Sequence, residues 1–98
     1  MKNSYPAIIQ KGEKFFISYV PNFDMHTQGE TITDTIEMTR DAIAMMGLCY
    51  EDQNIPFPSP SQLGEITCKQ GEIAILVDVN FTAYRQIEAL GTNRTAAV

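Results

Sequence analysis

The chain is poor in the residues that carry most catalytic and metal chemistry. It has one histidine, His26, and two cysteines, Cys49 and Cys68, with no Cys-x-x-Cys pair and no His-rich spacing. Neither a zinc ribbon nor a thiol–disulfide motif is therefore present. The two thiols are expected to be reduced and buried, as in a cytoplasmic protein. No apolar stretch approaches the ~20 residues of a transmembrane helix. Met1-Lys2-Asn3-Ser4 leads into an alternating segment instead of an apolar secretory core, so a cytoplasmic domain without a membrane partner is expected. No Gly-x-Ser-x-Gly elbow surrounds a serine, and Gly12 and Gly29 stand alone without forming a phosphate-cradling loop. Cations are scarce as well, with 7 Lys and Arg against 12 Asp and Glu and a formal charge of −5.

What is present is enough for one modest core: 98 residues, 44% of them apolar, suit a single globular domain. The charge is unevenly spread. Residues 1–29 are close to neutral, whereas residues 30–52 hold six acids against Arg40 alone, a local charge of −5. Such a segment repels phosphate and suits a basic protein partner. Its plain alternative is a solvated helix face.

Tyr5–Gln10 and Phe15–Val20 read as two strands joined by a turn at residues 11–14, with Gly12 free to take a positive φ. Residues 24–28 form a short third strand. Thr31 is placed to cap a helix, with Asp34 three residues on. Ile32, Ile36, Thr39, Ile43, Met46 and Tyr50 recur at 4-3-4-3-4 spacing and predict its buried stripe. Asp34, Glu37 and Asp41 lie opposite. Gly47 weakens the last turns, and the helix is expected to end between Tyr50 and Gln53. Alternate prolines at 56, 58 and 60 enforce a stiff, extended connector. Glu72–Asn80 is a very apolar strand of the kind covered on both faces. Thr82 is placed to cap a second helix from Ala83 to Leu90 that Gly91 ends.

The order β-β-β-α-β-α predicts an α+β fold: an antiparallel three-stranded meander plus a fourth strand, in spatial order 3-2-1-4, with the main helix on one face. Helix and connector are long enough for a crossover, which returns the fourth strand parallel to the first. That is the front half of a ribonuclease H-like sheet. A two-metal nuclease on it needs converging carboxylates, one of them on the first strand. Tyr5–Gln10 has no acid, and Asp78 and Glu37 do not suffice, so no catalytic, metal or cofactor-binding residue is assigned. His26 reads as a structural or surface residue. Phe15, Phe16 and Tyr19 suit core packing better than base stacking, because cations do not interleave with them. Met25, Met38, Met45 and Met46 suit an adaptable surface, with Met46 assigned to the core.

Several short motifs, in this order, resemble the HicB antitoxin family. They are Tyr5-Pro6-Ala7, the aromatic strand ending at Pro21, Thr27-Gln28-Gly29-Glu30-Thr31 before the helix, Pro56-Phe57-Pro58-Ser59, Val77-Asp78-Val79 and Ala83-Tyr84-Arg85. The family's Pro-Gly between the second and third strands is missing from the shorter Pro21–His26. The resemblance implies a non-catalytic antitoxin domain of a type II toxin–antitoxin system. Such a domain neutralises a basic, mRNA-cleaving HicA-type toxin by masking its active site. Residues 1–90 would be the toxin-binding domain and 91–98 a flexible tail, where family members begin a C-terminal DNA-binding module. DNA contact would need that module, which this chain does not include. Homo-oligomers, dimers or higher, are expected. Asp24 and Glu30, flanking the third strand, are the candidate partner-binding residues. A stand-alone RNA-binding regulatory domain is the alternative.

Overall fold

Alternation along the first segment sets the sheet. Tyr5, Pro6 and Ala7 are all buried, and from Ala7 on burial alternates, with Ile9 buried and Ile8 and Gln10 more open, the period-two pattern of a strand with one face on a core. In a computed structural model of the protein, which describes residues 1–89, this strand is β1 (Lys2–Lys11). It pairs antiparallel with β2 (Phe16–Val20), which pairs antiparallel with β3 (Met25–Gly29). Gly12 does not take the positive φ expected of it. It is required by close approach, since a Cβ there would lie 2.9 Å from the Phe15 carbonyl oxygen.

Helix α1 (Ile32–Asp52) begins as expected, with Thr31 Oγ1 accepting from the Asp34 amide at 3.0 Å. Its buried face differs from the expected stripe. Thr35, Thr39, Ile43, Ala44, Gly47 and Leu48 are buried, whereas Ile32 is 45% exposed. The helix is turned to bring two threonines onto β3. Thr35 Oγ1 donates to the Thr31 carbonyl at 2.7 Å, and Thr39 Oγ1 donates to that of Thr35 at 2.6 Å. These bonds use local backbone acceptors, so the hydroxyls can be buried without an unmet donor. With the Thr39 proton committed, Thr27 Oγ1 on β3 donates to Thr39 Oγ1 across 2.9 Å. Met46 and Tyr50 are half-buried and do pack on the core.

Gly47 does not end the helix; it makes room. A Cβ there would sit 2.3 Å from Cε1 of Phe81. Phe81 opens the second helix, α2 (Phe81–Ala89), two residues before the expected start. Asn80 Oδ1 accepts from the Ala83 amide at 3.0 Å and is the cap. Thr82 instead accepts from the Met1 amino group. The expected helix end at Leu90 and Gly91, and the tail 92–98, lie outside the described residues.

Strand β4 (Glu72–Asn80) has the expected bounds, and the sheet has the expected order β3-β2-β1-β4. Two expectations about β4 are corrected. It runs antiparallel to β1, from Lys2 opposite Asn80 to Gln10 opposite Glu72, and not parallel. The cause is the connector. Tyr5 Oη donates to the Pro58 carbonyl at 2.9 Å, and Asn22 Nδ2 donates to the Ser59 carbonyl at 3.1 Å. The chain then passes a 3₁₀ turn (Leu63–Glu65) and enters β4 beside Gln10, further along β1 than Tyr5. The helix alone would have returned it to the start of β1; the connector carries it back along the sheet. Nor is β4 covered on both faces, since Ile73 and Leu76 are 57% and 51% exposed.

Both helices pack on one face of the sheet, against Tyr5, Ala7, Val20, Val77 and Val79. An aromatic series ties the connector to this core. Tyr5 meets Phe23 (4.8 Å between centroids), Phe23 meets Tyr50 (5.7 Å), Tyr50 meets Phe57 (6.5 Å) and Phe57 meets Phe81 (4.9 Å). The thiols of Cys49 and Cys68 are free as expected, but exposed and not buried.

Candidate functional site

The acidic segment is the feature whose chemistry depends most on the fold. Of its six acids, Glu51 and Asp52 at the end of α1 are taken by Arg85 of α2, at 3.0 and 2.8 Å. Arg40, the segment's own cation, turns away to the edge strand. Its Nη2 lies 2.9 Å from Asp78 Oδ1 and its Nε donates to the Asp78 carbonyl at 2.8 Å. That guanidinium holds the Asp78 carboxyl below the usual carboxylate range. Glu30, Asp34, Glu37 and Asp41 remain. They line one groove of about 390 Å³ between β3 and α1. Asp41 also accepts from the Tyr84 hydroxyl at 2.5 Å.

A second groove of about 460 Å³ continues from the first, sharing Gln28, Met38 and Asp41 with it and adding Ala42 and Met45. Met38 and Met45 are 52% and 48% exposed. Acid and thioether thus share one strip of surface beside β3, which ends the sheet. No described Lys or Arg lines either groove.

The structure does not bring the two candidate partner-binding residues together. Asp24 and Glu30 lie at opposite ends of β3, roughly 20 Å apart along an extended chain. Glu30 joins the acidic groove. Asp24, at φ +49°, has its carboxylate 2.9 Å from the Tyr19 hydroxyl on the other side of the sheet. That bond pushes the Tyr19 hydroxyl up. Tyr19 stacks on His26, centroids 4.6 Å apart. Together with Ile8, Gln10, Ile17 and Glu72 they line a shallow pocket of about 170 Å³ on the face opposite the helices. Of the three aromatics assigned to the core, only Phe16 lies on the helix-covered face of β2 with Ser18 and Val20. Phe15 and Tyr19 alternate away from it.

Among the described residues, no group of three His, Cys, Asp or Glu side chains is placed to hold a metal ion. Asp78 on β4 is engaged by Arg40, and Glu37 lies in the groove between β3 and α1, at the other end of the sheet.

The architecture has close matches among solved structures. The N-terminal domain of the Burkholderia pseudomallei antitoxin HicB superposes with a TM-score of 0.71 and 26% identity, over 80% of this chain and 99% of that one. The chain has the fold of a HicB N-terminal domain. A toxin–antitoxin complex from Streptococcus pneumoniae gives a TM-score of 0.78 at 17% identity, covering 86% of this chain and 73% of its own. A HicA3–HicB3 toxin–antitoxin complex gives 0.66 at 24%, covering 80% and 99%. No protein-family model matches the sequence, and no curated protein matches it at a significant level.

Within this HicB-like domain, the groove collects residues that the search for catalytic motifs passes over. Asp34, Met38, Asp41 and Met45 recur at 4-3-4 spacing, a helical stripe of their own. That signal was readable. What spacing alone conceals is that Arg40 and Arg85 pair with other acids and leave this stripe without a cation among the described residues.

Proposed function

We propose that the chain is the toxin-binding domain of a type II antitoxin. It is non-catalytic and neutralises a small, basic, mRNA-cleaving toxin of the HicA type by covering its active site. The match along 99% of the isolated HicB N-terminal domain carries this reading. The acids of the groove, which no described Lys or Arg pairs, support it, since a toxin that grips RNA presents a basic surface that such acids attract and steer. The domain acts in the cytoplasm and self-associates as a dimer or higher oligomer. Any contact with DNA passes through a C-terminal module beyond it.

The test is co-expression with the small basic protein encoded in the adjacent reading frame. That protein alone should arrest growth, and the chain should restore it. Co-purification of the pair should weaken as salt is raised from 0.1 to 1 M, where the screening length falls from about 10 to 3 Å. Growth arrest that the chain does not relieve would overturn the reading.

A second reading rests on the Tyr19–His26 stack on the open face of the sheet, a platform on which a base can stack. Titration with labelled single-stranded RNA at physiological salt separates the two, because binding lost on Tyr19→Ala would favour an RNA-binding regulatory domain.

A further inference from the structure

We infer that the groove between the free edge of β3 and α1 receives an extended segment of the toxin bearing lysine or arginine, added to the sheet as a strand beside β3. This rests on the antitoxin reading and names the surface that performs it. Three observations converge on it. First, β3 ends the sheet, so its outer edge has no strand partner among the described residues. Residues Met25–Gly29 hold neither proline nor lysine, the usual devices that keep an edge from pairing. Secondly, the surface beside that edge is apolar at Met38 and Met45, and methionine adapts its shape to an incoming side chain. Thirdly, the same strip is flanked by Glu30, Asp34, Glu37 and Asp41 with no described Lys or Arg among them. Arg40 and Arg85 are each bound to other acids.

A strand satisfies all three at once. Its backbone takes the free hydrogen-bonding groups of β3, and every second side chain points toward α1. An apolar residue there meets the methionines and a cation meets the carboxylates. A docked helix would leave the edge groups of β3 unpaired.

The test measures affinity of the adjacent-frame basic protein, with its catalytic side chain replaced by alanine, for the wild-type chain and two variants at physiological salt. The double variant Glu30→Lys/Glu37→Lys should bind at least about tenfold more weakly. Glu13→Lys, an exposed acid in the β1–β2 turn, should change affinity less than about twofold. Circular dichroism confirms that the variants, all at exposed positions, are folded. In the saturated complex, hydrogen exchange of amides 25–29 should slow. Equal weakening by Glu13→Lys and the double variant, unchanged affinity of the double variant, or unaltered exchange at 25–29 would each overturn the inference while leaving the antitoxin reading in place. Failure of the wild-type chain to bind would remove both.

Discussion

Gly47 shows how a residue that looks like a weakness from its intrinsic preference becomes a requirement of packing. Its cost to the helix is about 1 kcal/mol relative to alanine, yet the Phe81 ring occupies the space a Cβ would need. Gly47→Ala should therefore destabilise the domain by about 1–3 kcal/mol through overpacking, although it improves helix propensity. A urea titration checks the sign. Ser18 presents the opposite case. Its hydroxyl is fully buried and has no hydrogen-bond partner among the described residues. Removing a buried, unpaired polar group relieves its desolvation penalty, so Ser18→Ala should leave stability unchanged or raise it by up to about 1 kcal/mol, read from the same titration. Asp78 carries a pH signature. Its carboxyl is held below the usual range by Arg40, so the folded state favours the ionised form. That contribution is present above the ordinary carboxylate pKa and is lost as pH falls through the depressed one. Thermal melts at pH 7 and in the acid range should show a smaller drop in Arg40→Ala than in the wild type, and the difference should be slight because Asp78 is 84% exposed.

At the scale of elements, what the sequence reveals depends on whether the deciding contacts are local. The Thr31 cap, the bounds of β4 and the β1-β2-β3 meander follow from residues close in the chain, and all were legible. The place of β4 beside β1 was expected too, although it joins residues from opposite ends of the domain. The face α1 buries was legible in part: Thr39 and Ile43 are buried as expected, but Thr35, which hides its hydroxyl in a bond to its own helix, was passed over as polar, and Ile32 is exposed. The direction of β4 was not legible. It depends on Tyr5 meeting Pro58 and Asn22 meeting Ser59, contacts 53 and 37 residues apart. The same limit held for the groove. Its acids could be read along the chain, but their lack of counterions among the described residues depends on where Arg40 and Arg85 reach, 33 to 38 residues away. The connector's dependence on Tyr5 is measurable. Tyr5→Phe keeps the ring against Phe23 and removes the bond to Pro58, together with a long one of 3.4 Å that the hydroxyl accepts from Asn3 Nδ2. It should cost about 1 kcal/mol and speed hydrogen exchange in residues 55–62 relative to the strands.

For the molecule as a whole, the arrangement divides labour between faces. One face of the sheet is closed by α1, α2 and the aromatic series, and supplies the cohesion. The strip along β3 and α1 carries charge that no described Lys or Arg matches, a surface that gains more from an oppositely charged partner than from its own interior. The fourth strand's reversed course has a further consequence. Because β1 starts where β4 finishes, the Phe81 amide donates to the Met1 carbonyl at 2.8 Å, and the first residue sits at the root of α2. Nine residues of helix span about 13 Å, so in a variant with residues 90–98 removed a bridge of roughly six residues from Ala89 to Met1 would close the backbone into a ring. Cut afresh in the exposed stretch 67–71, that ring is expected to refold with the same far-ultraviolet spectrum, a circular permutant whose melting midpoint reports how little the fold depends on where the polypeptide is opened.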